Sequence, residues 1–390
     1  MKVELLAPAG DFEKVKIAFM YGASAVYLGG NKFGLRAGAT LDNDYIKKAV
    51  NLANSLGKKI YVTVNIFARN HDFKELIKYL KYLESIGVHA VIVSDLGVMK
   101  IVREHTGLEI HISTQANVLN KHTAEEYVRL GAKRIILGRE LTLPEIKEIA
   151  DYLKGKCDVE VFVHGAMCVS YSGRCLLSNY MINRDANRGE CAHPCRWKYA
   201  LMEEKRPGEY FPIDQDQNGS YIMNSRDLVL IEHLRDLERA GVKSFKIEGR
   251  MKSEYYVASV VNAYRRAMDG EAFDYMTELN KTAHRPWTTG FLLPDGETLY
   301  YDHNNPVTTH EVVAMCLGGA RVKLKNAFEV GDTLEILSPH GNFNKTFQVT
   351  AIKEVASQTS CHRANKADEI YEIECPYELR EGEFLRKKKP

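Results

Sequence analysis

The sequence has no run of apolar residues approaching the roughly 18 that a membrane-spanning helix needs, so it predicts no contact with a membrane interior. Charge of either sign is nearly balanced. A net +2 over 390 residues excludes a protein that coats polyanions along its whole length, but it leaves room for a basic patch. Several hydrolase signatures are missing. There is no G-x-S-x-G elbow, and the nearest zincin-like string, HEVVA at 310–314, lacks its second histidine and falls in a predicted strand. The glycine-rich stretch GGNKFGLRAG carries Lys32 and Arg36 but is not closed by the GK[ST] of a phosphate loop. DQDQNG at 214–219 imitates a calcium loop, yet its twelfth position is Ser225 instead of glutamate. The opening residues, MKVELLAPAGDFEKV, meet Glu4 and Asp11 before any apolar run reaches signal-peptide length. A cytoplasmic setting is therefore expected, where thiols stay reduced.

What is present is ordinary globular composition, 45% hydrophobic and 27% charged, in a chain longer than one typical domain. Over residues 1–270 short β-branched runs alternate with stretches of helical period. The strands predicted are 3–8, 24–29, 59–67, 89–95, 109–115, 134–140, 159–165 and 244–250. Residues 71–86 illustrate the intervening helices, with Phe73, Leu76, Ile77, Leu80 and Leu83 on one face. Several helices stop at a glycine, at Gly22, Gly57, Gly87, Gly131 and Gly241, where a left-handed C-cap is wanted. Eight such units predict a (β/α)8 TIM-like barrel in preference to a doubly wound open sheet. An insertion at 166–223 interrupts it, and residues 271–305 form an irregular extension. Residues 306–390, with short alternating strands and turns at Gly318–Gly319 and Gly331, predict a small all-β barrel ending in a frayed basic tail, RKKKP.

In a parallel barrel the chemistry sits at the C-terminal ends of the strands. Here those ends carry Asn65, Ser94 and Asp95, Thr114 and Gln115, Arg139 and Glu140, His164, and Glu248 with Arg250. Asn65, Gln115, Arg139, His164 and Glu248 are the candidate catalytic residues. Arg139 and Arg250 suit bidentate capture of a carboxylate or phosphate, with Arg36 on the glycine-rich loop as a further anion contact.

Cysteine is concentrated. Of 8 in the chain, Cys168, Cys175, Cys191 and Cys195 fall inside the predicted insertion, just past the seventh strand. A loop that long is costly in entropy unless something organises it, and a metal centre on four thiolates would do so. Structural zinc favours ligand pairs two to four residues apart, which Cys191 and Cys195 satisfy and Cys168 and Cys175 do not. A four-iron cluster also takes four thiolates and tolerates looser spacing. A position at the catalytic rim favours iron, with Zn2+ as the alternative. The remaining cysteines, Cys157, Cys316, Cys361 and Cys375, read as small buried hydrophobes.

These residues carry a resemblance. The run EVFVHGAMCVSYSGRCLLS, from Glu160 to Ser178, is similar position for position to the signature of peptidase family U32. LLAPAGDF, YLGG, FGLRAG, KIEGRMKS and the β domain extend the likeness over the whole chain. The family name implies a collagenase-like peptidase of unassigned catalytic type. Its better understood members imply oxygen-independent hydroxylation of tRNA, rRNA or ubiquinone on a 4Fe-4S cluster, with prephenate required by those that act on RNA. The three-residue gap between Cys191 and Cys195 is most similar to the members that make 5-hydroxyuridine at the tRNA wobble position.

The resemblance thus implies cluster ligands at Cys168, Cys175, Cys191 and Cys195, prephenate as co-substrate on the rim arginines, and tRNA as partner. RNA is expected on the long loop, where Arg184, Arg188, Arg196 and Lys198 are interleaved with Tyr180, Trp197 and Tyr199. Lys323, Lys325 and the basic tail offer a second contact. A peptidase, and a scaffold with a structural metal site, stand as alternatives. The β domain could equally serve a homo- or hetero-oligomer.

Overall fold

The computed structural model describes residues 2–35, 40–168, 170–197, 200–202, 210–212, 225–293 and 307–389. It divides into two compact units, Met1–Val15 with Ser24–Lys252 and Arg285–Asn305, and Lys16–Ala23 with Ser253–His284 and Pro306–Pro390.

The first unit is a closed barrel. Strands β1 (Glu4–Pro8), β2 (Ala25–Gly29), β3 (Lys59–Val64), β4 (Ala90–Val93), β5 (Glu109–Ile112), β6 (Arg134–Ile136) and β7 (Asp158–Ala166) follow one another in parallel. The strand Ser244–Ile247 pairs in parallel with β7 on one side and β1 on the other, with Glu4 opposite Ser244. That closure separates the fold from an open doubly wound sheet. The strands are largely apolar on both faces because one face meets the helices and the other fills the barrel. Leu6, Tyr27, Tyr61, Ile92 and Ile136 form the inner cluster.

Helices occupy the intervals, among them Asn43–Ser55, Phe73–Ser85, Leu96–His105, Lys121–Arg129 and Leu143–Leu153. The helix expected over 71–86 spans Phe73–Ser85 and buries Leu76, Leu80 and Leu83. Asp95, expected on the rim, instead caps a helix by accepting from the Val98 N–H at 3.0 Å. Among the described residues no helix is long and apolar enough to cross a membrane.

Two features of the barrel differ from expectation. The sixth strand, expected over 134–140, is confined to Arg134–Ile136, which leaves Leu137–Glu140 free to turn at the strand end. The strand Asp227–Val229 runs antiparallel against the end of β7, with Leu228 opposite Gly165, and carries Trp287–Thr288 on its other edge.

The second unit holds an eight-stranded antiparallel sheet, the small all-β domain expected after residue 306. Its core includes Val313, Phe328, Leu334, Ile336 and Leu385. The frayed tail expected at RKKKP is corrected. Phe384–Lys388 is an internal strand between His310–Gly318 and Thr333–Leu337. Arg386 is fully buried and donates to Glu278 at 2.8 Å and Glu335 at 2.6 Å. Alternation explains it: residues of one strand face opposite sides, so a basic run can bury one member where carboxylates wait for it. Lys323 and Lys325 pair with Asp368 at 3.1 Å and Glu254 at 3.6 Å and stay partly exposed.

Candidate functional site

A cavity of about 160 Å3 opens at the C-terminal ends of the barrel strands. Asn65, Gln115, Arg139, Glu248 and Arg250 all line it, and so do all four thiols of the long loop. Two glycines make the convergence possible. A Cβ at Gly29 would lie 2.3 Å from Nη1 of Arg250, so this position must stay bare for the guanidinium to enter. Gly165 holds φ +107, and a Cβ there would meet the Glu248 carbonyl oxygen at 2.6 Å.

The amide side chains at the mouth act as braces. Asn65 accepts from the Leu35 N–H at 3.2 Å and donates through Nδ2 to Oε1 of Gln115 at 2.7 Å. Arg250 donates to Thr63 Oγ1 at 3.1 Å and to the Leu35 carbonyl, so Leu35 is held at both its N–H and its C=O. Gln115 offers its backbone carbonyl to Nε of Arg174 at 2.8 Å, which ties the strand end to the cysteine loop. Glu140 grips the same loop through the N–H and hydroxyl of Ser172, a residue in the left-handed region at φ 44. That strained backbone needs such a double anchor.

Arg139 is held differently. Its Nη1 donates to the Ala166 carbonyl at 3.0 Å, and its guanidinium lies 5.4 Å from the Phe162 ring centroid. Its Nε is buried and finds no hydrogen-bond partner among the described residues. A buried unpaired donor on a charged group costs roughly 1–3 kcal/mol or more, and a ligand acceptor would relieve it.

All eight cysteines are reduced. Cys175 accepts from the Leu177 N–H at 3.4 Å through its sulfur, and Cys191 lies 3.9 Å from Nδ1 of His193. Among the described residues no three His, Cys, Asp or Glu side chains stand in a position to hold a single ion. All four cysteines of the loop line one cavity, and four thiolates are a donor set that either a four-iron cluster or a zinc ion accepts. The scattered cysteines are corrected in part: Cys316 is buried, but Cys157, Cys361 and Cys375 are only half-buried.

The cavity floor holds a group that sequence reasoning passed over. Lys246, 4% exposed on the closing strand, lines the cavity and donates to Oε1 of Glu160 at 2.9 Å. Glu160 is fully buried and takes Arg134 on its other oxygen at 3.2 Å. Arg134 also donates to Glu4, which accepts from the Tyr61 hydroxyl at 2.7 Å and the Ser244 hydroxyl at 3.0 Å. Burial works to raise the Glu160 carboxyl, but the Lys246 and Arg134 charges outweigh it and hold it below its usual range. Burial likewise pushes the Lys246 ammonium below its ordinary value, with Glu160 pulling the other way. Each partner offsets part of the other's desolvation. A signal existed in the sequence: a lysine in the middle of the apolar strand SFKI has to be paired inside the barrel.

Other predicted residues do not join the site. His164 does not line the cavity; its ring packs 5.3 Å from that of Trp287. The cause is a register shift in β7: Lys246 pairs with Phe162 but Ile247 pairs with His164. The extra residue, Val163, breaks the alternation that would have put His164 beside Phe162. Arg36 and Lys198 lie outside the described residues, as do Tyr199 and the side chains of Tyr180 and Arg196.

Trp197 does not line the cavity but is 39% exposed, as are Tyr171 and Leu176 more fully. Arg188, expected to meet phosphates, forms a two-point ion pair with Asp72, at 2.9 and 3.1 Å, and donates to the Phe67 carbonyl. The string HEVVA lies on the strand His310–Gly318, whereas a zincin needs its pair on a helix.

Comparison with known proteins places the chain in a family. The model of peptidase family U32 matches residues 10–300, and that of the family's C-terminal domain matches 308–386. A tRNA hydroxylation protein of Escherichia coli is 39% identical over 402 residues, covering 89% of this chain and 88% of the relative. A tRNA hydroxylation protein of Bacillus subtilis is 38% identical over 371 residues, covering 89% and 86%. A 23S rRNA 5-hydroxycytidine synthase of Escherichia coli is 35% identical over 268 residues, covering 69% of this chain and 39% of that protein. The chain belongs to peptidase family U32.

Proposed function

We propose that this U32-family chain is an RNA-modifying hydroxylase that acts on tRNA, holds a four-iron cluster on Cys168, Cys175, Cys191 and Cys195, and uses prephenate as its small co-substrate. One observation carries the reading: the four thiols and the under-satisfied Arg139 open into the same cavity at the strand ends. RNA hydroxylation is further supported by the relatives, two named for tRNA and one for rRNA. The wobble uridine, with 5-hydroxyuridine as product, is the finer part of the proposal and rests on the spacing of Cys191 and Cys195.

A cluster bound at the four thiols supplies one-electron redox chemistry. The chain's own residues do the rest. Arg139, which lines the cavity, takes a carboxylate of the co-substrate. Asn65 and Gln115 hold the mouth in shape through their mutual hydrogen bond. Glu248, the one carboxylate among the residues that line the cavity, holds or releases a proton at its carboxylate oxygen. Trp197, exposed beyond the cavity, offers a face on which a base can stack.

Two measurements test the proposal. Anaerobically purified protein is expected to contain about four iron and four sulfide per chain, the stoichiometry of a four-iron cluster, and Cys168→Ala to lose most of both. Zinc in their place sinks the cluster. Nucleoside mass spectrometry of tRNA from cells lacking the protein is expected to show loss of wobble 5-hydroxyuridine derivatives. If their level is unchanged, the tRNA assignment falls.

A further inference from the structure

The lysine on the cavity floor has fewer partners than its burial demands. Glu160 is the only hydrogen-bond acceptor of the Lys246 ammonium among the described residues, which leaves two of its three N–H groups without an oxygen partner. Two aromatic rings wall it in, with Nζ 4.4 Å from the Tyr27 centroid and 5.4 Å from the Phe162 centroid. Rings attract a cation but accept no ordinary hydrogen bond, so the ammonium is held in place while two donors stay unspent. Tyr27, Phe162 and Lys246 all line the cavity, which is therefore the open side. An incoming anion need not displace Glu160, which takes only one of the three N–H groups.

The second observation is that Arg139 stands over the same ring. Its guanidinium is 5.4 Å from the Phe162 centroid, and its buried Nε has no partner among the described residues. The charged residues lining the cavity are Arg139, Lys246 and Arg250 against Glu248 alone. Arg250 already serves Thr63 and Leu35. The unspent donors thus belong to two cations that share one ring. A dianion can give each of them its own anionic group, as a charge-assisted contact on either cation.

The geometry points to Lys246 and Arg139 as the two halves of a clasp for a small organic dianion, one anionic group on each cation. This rests on the co-substrate reading above and names Lys246 as the residue that selects two charges over one. Loss of the ammonium removes one charge-assisted contact and leaves the other.

The test is calorimetric binding to the iron-loaded, full-length protein under anaerobic conditions. The probes are prephenate, with two carboxylates, and phenylpyruvate, with one. Wild type is expected to prefer prephenate by about 10–100-fold, the value of one charge-assisted contact. In Lys246→Met that preference is expected to shrink to near unity. Because this variant leaves Glu160 with Arg134 alone, the double variant Lys246→Met with Glu160→Gln is measured beside it, and a wild-type-like melting curve qualifies either one. A preference that survives the loss of Lys246 overturns the clasp and leaves the co-substrate reading standing. If wild type ignores prephenate but binds malonate in a Lys246-dependent way, the clasp stands and that reading falls. If neither dicarboxylate binds, both fall.

Discussion

Asn187 grips the peptide of Cys175 from both sides. Its Oδ1 accepts from the Cys175 N–H at 3.2 Å and its Nδ2 donates to the Cys175 carbonyl at 2.9 Å. Its own carbonyl accepts from the Phe67 N–H at 3.2 Å, which fastens the cysteine loop to the barrel just past β3. Asn187 therefore positions the backbone of Cys175, a proposed iron ligand. Groups that orient metal ligands typically contribute 10–100-fold to metal affinity. Asn187→Ala is expected to lose iron about that much faster under chelator challenge while its melting temperature moves little. Iron retention equal to wild type would remove Asn187 from the site's support.

Arg139→Lys keeps a positive charge but removes the planar fork and the buried Nε. An ammonium cannot reproduce a guanidinium's two-point grip. The prephenate concentration giving half-maximal 5-hydroxyuridine formation is expected to rise by roughly tenfold or more. Kinetics that do not change would show that Arg139 serves only the Ala166 carbonyl.

Trp197 is exposed, so truncating it should cost the fold little. Stacking of a base on an aromatic ring is worth about 1–3 kcal/mol, and Trp197→Ala is expected to weaken tRNA binding correspondingly. Arg188→Ala gives the contrasting case. Its guanidinium is spent on Asp72 and Phe67, so a lower melting temperature is expected with tRNA affinity nearly intact. Filter-binding titrations at fixed salt separate the two; equal losses of affinity would contradict the assignment.

His310 in the second unit supplies a pH signature. Burial, the largest cause, depresses it from an ordinary histidine value to about 4. The folded state thus keeps the ring neutral between pH 4 and 6.5, where the unfolded chain protonates it. The unfolded state binds more protons there, so stability is full above about pH 6.5 and declines as pH falls towards 4. After discounting for solvent screening of a partly exposed group, the loss is on the order of 1 kcal/mol. His310→Gln is expected to flatten this limb in urea unfolding measured at pH 4.5 and 7.5. A slope that persists would assign the effect elsewhere.

Local pattern made much of the molecule readable. The period of apolar residues and the glycine stops yielded eight βα units, and Gly22 and Gly131 do sit at positive φ where the helices end. Thiol clustering pointed to a loop organised around a centre, and all four sulfurs line one cavity. Three features escaped for a shared reason. A one-residue bulge at Val163 turned His164 away, a partner strand drew Arg386 inward, and a carboxylate 86 positions back in the sequence paired Lys246. Each depends on what lies across the sheet.

The chain's own order of residues settles which segments become strands, where helices stop, that the strand ends are polar, and that four thiols gather past the seventh strand. Periodicity and capping act over a few neighbours, so they can be read along the chain. Which polar residue faces the cavity and which becomes a brace follows from register and closure. Pairing of Ser244–Ile247 with both β1 and β7 brings Lys246, Glu160, Arg134 and Glu4 into one buried network. Those contacts join residues up to 240 positions apart, as in Ser244 with Glu4, and a shift of one residue in pairing would face them the other way.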